Sequence, residues 1–274
     1  MIRLRLGAGL LGGIALAALL APAVAAFLGH DADLPDLFNR FAPPSLAHPL
    51  GTDDLGRDML LRLLYGARVS LTVGLAVALA ATGLGTALGL LAAWRGGWVD
   101  AVLMRLADGL LSLPALPLLV VLAAVDPARL GLPRGEASTD ILRITVILTL
   151  FGRVGVARLA RAAALSELAK DYVAAARVCG ASEARLMWRH ILPNISGPIV
   201  VAATLAVAGA ILSESTLSFL GLGIAPPAAS WGNMLSNAQE LVFSAPLGAV
   251  WPGLAILLTV AGCSLLADGL RRRG

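Results

Sequence analysis

The sequence is poor in the residues from which catalytic and metal centres are built. Of its 274 residues, two are cysteine, three are histidine, 5% are aromatic and 14% are charged. Cys179 falls in a polar segment and Cys263 in an apolar run, a placement that suggests neither a disulfide nor a thiolate metal site. His30, His48 and His190 all lie in polar segments, and no two of them have metal-binding spacing. No Gly-x-x-x-x-Gly-Lys-Ser/Thr loop is present, so the chain is not expected to bind or hydrolyse ATP itself. The apolar runs hold no His/Ser or paired-Asp arrangement, which argues against an intramembrane protease.

What is abundant is apolar sequence. Hydrophobic residues make up 58% of the chain and mean hydropathy is +0.84, both far from average soluble usage. A spanning helix needs about 20 largely apolar residues, which leaves room for roughly five to seven spans. The net charge of +4 and pI near 9.8 fit an excess of Lys and Arg in cytoplasmic loops better than a nucleic-acid partner.

Six apolar runs are read as spans: residues 6–28, 69–93, 106–125, 141–160, 195–213 and 246–266. The chain then divides into an N-terminal transmembrane helix (1–29), an external polar segment (30–68), a five-helix core (69–268) and a basic cytoplasmic tail (269–274). Ala23-Val24-Ala25 resembles a signal-peptidase site, so a cleaved leader stands beside the anchor reading. In segment 30–68, Gly51 and Gly56 permit tight turns, Arg57 and Asp58 suit ion pairing or capping, and an amphipathic stretch on the outer membrane surface is expected. Asp53-Asp54 with Gly56 lacks calcium-loop spacing. Pro114 and Pro117 should bend the third span, either to line a pathway or only to pack. The fourth span is the weakest, because Arg143, Arg153 and Arg158 punctuate it; Arg143 is expected to snorkel outward and the other two inward. Glu214 marks the outer end of the fifth span, where it is either functional or a simple cap. Trp231 and Trp251 could stack on a ligand, but interfacial anchoring is the stronger reading. Fourteen of the 21 Lys and Arg fall in the inner segments and seven in the outer ones, which puts both termini in the cytoplasm.

The longest polar, helix-favouring stretch is DYVAAARVCGASEARLMWRHILPN, residues 171–194. Ala174, Ala175 and Ala176 are strong helix formers. Gly180 is the residue expected where a helix ends with positive φ. Ser182 can cap a second helix with Glu183 in its first turn, and Leu192-Pro193-Asn194 is expected to close it. This is a helix–turn–helix hairpin, within a loop spanning 161–194.

Ala-Ala-Arg, a Gly three residues on and Ile191-Leu192-Pro193-Asn194 resemble the cytoplasmic EAA loop of bacterial ABC importer permeases. His48-Pro49-Leu50-Gly51-Thr52-Asp53, Gly56-Arg57-Asp58, Gly66-Ala67-Arg68-Val69-Ser70-Leu71 and Leu217–Gly223 with Ser230-Trp231-Gly232 resemble the C-type permease subunit of dipeptide, oligopeptide and nickel importers. The likeness runs from about residue 48 to 268. It implies an all-α membrane protein of type I importer fold, with six transmembrane helices and a coupling-helix hairpin, in the bacterial inner membrane. It implies a homologous permease subunit, two ABC ATPases that carry ATP and Mg, and an external solute-binding protein, with lipid around the spans. The coupling residues it implies are Asp171, Ala174, Ala175, Ala176, Arg177, Gly180, Ala181, Ser182 and Arg185; Ala174 stands where the family loop has Glu. Pro114, Pro117 and Glu214 are the pathway candidates from the residues themselves. Peptides are expected as substrate, with nickel or another small solute as the alternative, because no His lies within a span. A self-sufficient channel or secondary transporter is the rival class, for which neither internal repeats nor mid-membrane charges are evident.

Overall fold

The computed structural model describes residues 2–126, 128, 131, 133, 136–236 and 246–272. Arg129, Arg134 and Arg273, counted above for topology, lie outside the described residues. Among those described, the chain is helical without a strand; an isolated antiparallel bridge joins Thr52 and Asp58. The helices are α1 (Ile2–Leu28), α2 (Met59–Arg95), α3 (Gly97–Ser112), α4 (Ala115–Ala123), α5 (Ala137–Leu168), α6 (Asp171–Val178), α7 (Glu183–Phe219) and α8 (Leu247–Arg271).

Helices α1, α2, α7 and α8 are each long and apolar enough to cross a membrane, and the bent pair α3–α4 makes a fifth candidate. Helix α5 has 32 residues, about 48 Å at 1.5 Å per residue. It is long enough to span, but Arg143, Arg153 and Arg158 interrupt every apolar window in it. Helix α3 begins at Gly97, nine residues before the expected third span, and so takes in Asp100 and Arg105.

Helices α2 and α5 form the most extensive seam in the bundle. Small residues let the two backbones meet. A Cβ on Gly85 would lie 2.6 Å from the Arg153 carbonyl oxygen, and one on Gly89 would meet the Ala157 carbonyl. Helix α1 packs on α8 in the same way, with Gly7 against Gly262 and Leu266. One core cluster joins Leu90, Ala160, Ala164, Val173, Leu186 and Ile191 at the end of the bundle bearing α6, here the hairpin end. Another gathers Val73, Leu119, Ile144 and Leu217 towards the opposite, cap end.

Three expectations are corrected. Residues 29–58 are not an amphipathic surface stretch but a turn-rich loop sewn together by its own polar groups, and α2 begins at Met59, ten residues before the expected span. Asp58 caps that helix, accepting from the Leu61 amide at 2.9 Å. Arg62 is 3% exposed and pairs with Asp33 at 3.2 Å and Asp53 at 3.4 Å. Gly51 and Gly56 take φ of +80° and +75°, and a Cβ on Gly56 would strike the Asp36 carbonyl. Second, Leu192-Pro193-Asn194 does not close a helix. Residues Leu186–Ile191 form a π-helical turn, and the Leu192 amide donates to the Met187 carbonyl, five residues back. The wider turn accommodates Pro193, which lacks a donor and would crowd the carbonyl four residues earlier in an unbroken α-helix. Third, Trp231 is 1% exposed and donates its ring N–H to the Leu63 carbonyl at 3.1 Å, so it is a core residue rather than an interfacial anchor.

Candidate functional site: a braced hairpin and a fastened cap

At the hairpin end, α6 stops in a Schellman motif. Gly180 has φ of +84°, its amide donates to the Arg177 carbonyl at 2.9 Å, and the Ala181 amide reaches back to Ala176 at 3.0 Å. The Ser182 hydroxyl accepts from the Arg185 amide at 3.4 Å and caps α7. Across the turn Arg177 donates to Glu183 from two nitrogens, at 2.8 and 3.2 Å. The two helices are therefore tied by backbone and by a bidentate pair. At their roots Glu167 accepts from Lys170 at 2.6 Å and from the Tyr172 hydroxyl at 2.8 Å, while Asn194 donates to that hydroxyl at 3.1 Å. The Glu167 hydrogen bond holds the Lys170 ammonium above its ordinary pKa.

Val173, Leu186 and Ile191 are fully buried and root the hairpin in the bundle. Asp171, Ala174, Ala175, Arg177, Gly180, Ser182 and Arg185 are exposed, with Ala176 and Ala181 half-buried. Val178 and Trp188 are also exposed, at 88% and 67%. The structure thus brings the nine sequence-named residues onto one solvent-facing knuckle. Sequence reasoning missed the Arg177–Glu183 brace and the Glu167–Tyr172–Asn194 chain. The signal for the first was an opposite-charge pair straddling Gly180.

Pro114 caps α4, and the α3–α4 pair bends there by 89°. Pro117 lies in the first turn of α4, and both prolines are exposed. A groove of about 560 Å³ opens between α2, the bent pair, α5 and α7, lined by Val77, Ala115, Leu119, Phe151 and Gly209 among others. The residues flanking Pro114 line it; the prolines themselves and Glu214 do not.

Glu214 is not at the border of its helix. It is fully buried within α7, which runs on to Phe219. Its carboxylate accepts from Ser70 at 3.0 Å, Ser218 at 2.7 Å and Ser215 at 3.5 Å. Two of these hydroxyls in turn accept backbone amides of the segment after α7: Trp231 on Ser70 at 3.2 Å and Ile224 on Ser218 at 3.0 Å. Residues 220–236 are thereby drawn as a cap over the ends of α2 and α7. Arg143 does not snorkel. Its side chain turns inward to the carbonyls of Ala123, Leu222 and Gly223.

A family model described as "Binding-protein-dependent transport system inner membrane component" matches residues 85–273. A putative peptide transport system permease protein of Brucella suis is 40% identical over 268 residues, 97% of this chain and 85% of that protein. The di/tripeptide transport system permease protein of Pseudomonas aeruginosa is 40% identical, covering 96% and 86%. The oligopeptide transport system permease protein of Bacillus subtilis is 37% identical, covering 94% and 80%. The matched span includes the last part of α2, the whole of α5, the hairpin and the cap, and the relatives' likeness extends over nearly all of the rest. The chain belongs to the family of binding-protein-dependent transport system inner membrane components.

Proposed function

We propose that this chain is a permease subunit of an ATP-driven ABC importer for di- or oligopeptides. The observation that carries the reading is identity near 40% along almost the whole chain to permeases named for peptide transport. It crosses the membrane six times, α5 serving as the fourth pass with Arg143, Arg158 and Arg161 paired to Asp140, Asp108 and Asp100, and both termini are cytoplasmic. The hairpin end is then inside and the cap end outside.

With a homologous permease subunit the chain forms the translocation pathway, and the apolar groove beside the α3–α4 bend is its contribution. The exposed knuckle from Asp171 to Arg185 seats on an ATPase subunit. Its rigidity supports that role: a hairpin braced by a Schellman turn and a bidentate pair moves as a unit and transmits displacement into α5 and α7. A binding protein delivers the peptide at the outer face. Ala174 offers no carboxylate for the contact that a Glu there would make, so the exposed Ala174, Ala175 and Arg185 are the surface presented to the ATPase.

Deleting this chain is expected to abolish binding-protein-dependent uptake of labelled di- or oligopeptides in cells. Unchanged peptide uptake beside lost nickel accumulation would overturn the substrate while leaving the importer.

A further inference from the structure

Helix α5 enters the bundle at the cap end with two charged residues one turn apart, Asp140 and Arg143. Both are largely buried, with side chains 9% and 13% exposed. Arg143 reaches three carbonyls on two different elements. Nη1 donates to Ala123, the last residue of α4, at 3.3 Å. Nη2 donates to Leu222 and Gly223 of the cap, each at 3.2 Å. Asp140 sits 3.4 Å from the same Nη2 and accepts from the Ala225 amide at 3.1 Å. The pair thus grips the cap backbone by donor and acceptor together, and holds the end of the bent α3–α4 unit to it. On the far side the cap is held by the Glu214 serine cluster and by Arg62, which donates to the Pro227 carbonyl at 3.4 Å.

We infer that Arg143 is a positioning residue of the transport cycle: it clamps α4 to the cap and so keeps the outer mouth of the apolar groove closed. The inference rests on the importer reading for its direction, outside against inside. The chemistry is specific to a guanidinium. Its planar fork presents separate N–H donors at fixed angles, so one side chain bridges carbonyls of two elements. An ammonium keeps the attraction to Asp140 but is a point charge and cannot span both. The outward state requires the α4 end and the cap to part, and these are hydrogen bonds to backbone carbonyls that water can replace as the mouth opens. The Glu214 cluster lacks this character because it is sealed from solvent, and both it and Arg62 tie the cap to α2 and α7 rather than to the bend.

The test is thiol accessibility in the assembled transporter. Ala115→Cys places a thiol on the groove beside the bend, and a membrane-impermeant maleimide is added from outside without peptide or ATP; the parent chain without the new cysteine gives the background. Labelling is expected to be slow with Arg143 intact and about tenfold faster or more in Arg143→Met, because charge-assisted bonds that hold the mouth shut are gone. Arg143→Lys is expected in between, and it decides the matter alone if Arg143→Met does not accumulate. A merely stabilising role would lower the melting temperature of these variants without changing labelling well below it. Parent-rate labelling in Arg143→Met, or in Arg143→Lys, overturns the inference. The readout needs no substrate, so failure of the peptide assignment leaves it standing, and loss of the clamp leaves the peptide assignment standing.

Discussion

Gly180 shows how far a single residue governs the hairpin. At φ of +84° with no heavy atom near an added Cβ, the position is costly for other residues through backbone conformation alone, not through crowding. Gly180→Val should strain the turn by about 1–2 kcal/mol and lose coupled transport and ATPase association while the protein still inserts. Gly180→Asn should be milder, since Asn tolerates the left-handed region. Co-purification of the ATPase with each variant checks the order; equal retention in Val and Gly would remove the turn from the mechanism. Glu214 makes the opposite case, a residue that matters by what it satisfies. Glu214→Ala leaves buried serine hydroxyls without their acceptor, at about 1–3 kcal/mol for each group left unsatisfied. Its melting temperature in detergent should fall well below that of Ser196→Ala, a change at an exposed hydroxyl. Gly180 was legible in the sequence because a glycine after an alanine-rich helix has one usual meaning. Glu214 was read as a border residue because Ser70, which closes its cluster from α2, lies 144 residues away, and such pairing leaves no local trace.

Among elements, the α2–α5 seam bears the closest backbone approach and makes the cleanest contrast. Gly85→Val would drive a side chain into the Arg153 carbonyl and the backbone of Ala157, which cannot yield as a flexible side chain would. Gly83→Ala, two residues earlier and open to space, should be silent. Thermal stability of the two purified variants checks this, and a silent Gly85→Val would mean the helices do not meet there. The helices themselves were mostly legible, since apolar length is a strong signal. Three features were not. Helix α7 runs through Pro193 because a π turn absorbs it, and no local pattern announces that turn. Helix α2 starts early because Arg62 is neutralised by Asp33 and Asp53, a tertiary pairing that overrides its apparent polarity. The α3–α4 bend was expected from Pro114 and Pro117, though not that Pro114 would be a helix cap.

For the whole molecule, topology and coupling are one claim: the hairpin must face the compartment that holds ATP. Cys179 is exposed on the hairpin, so an impermeant thiol reagent should miss it in intact cells and reach it in inverted vesicles lacking the ATPases. Strong labelling from outside would reverse the orientation. The charge bias of the loops gives an expected direction from sequence, whereas the bracing between Arg177 and Glu183 depends on side chains meeting across the hairpin. Transport in a defined system tests the ATP-driven importer most directly. Proteoliposomes containing this chain, its partner permease and the ATPases are to be loaded with ATP, so that the nucleotide is on the cytoplasmic side, and given labelled dipeptide outside with or without the binding protein. Accumulation is expected to require both ATP and binding protein and to be lost in Gly180→Val; accumulation by this chain without ATP or ATPase subunits would contradict an ATP-driven importer.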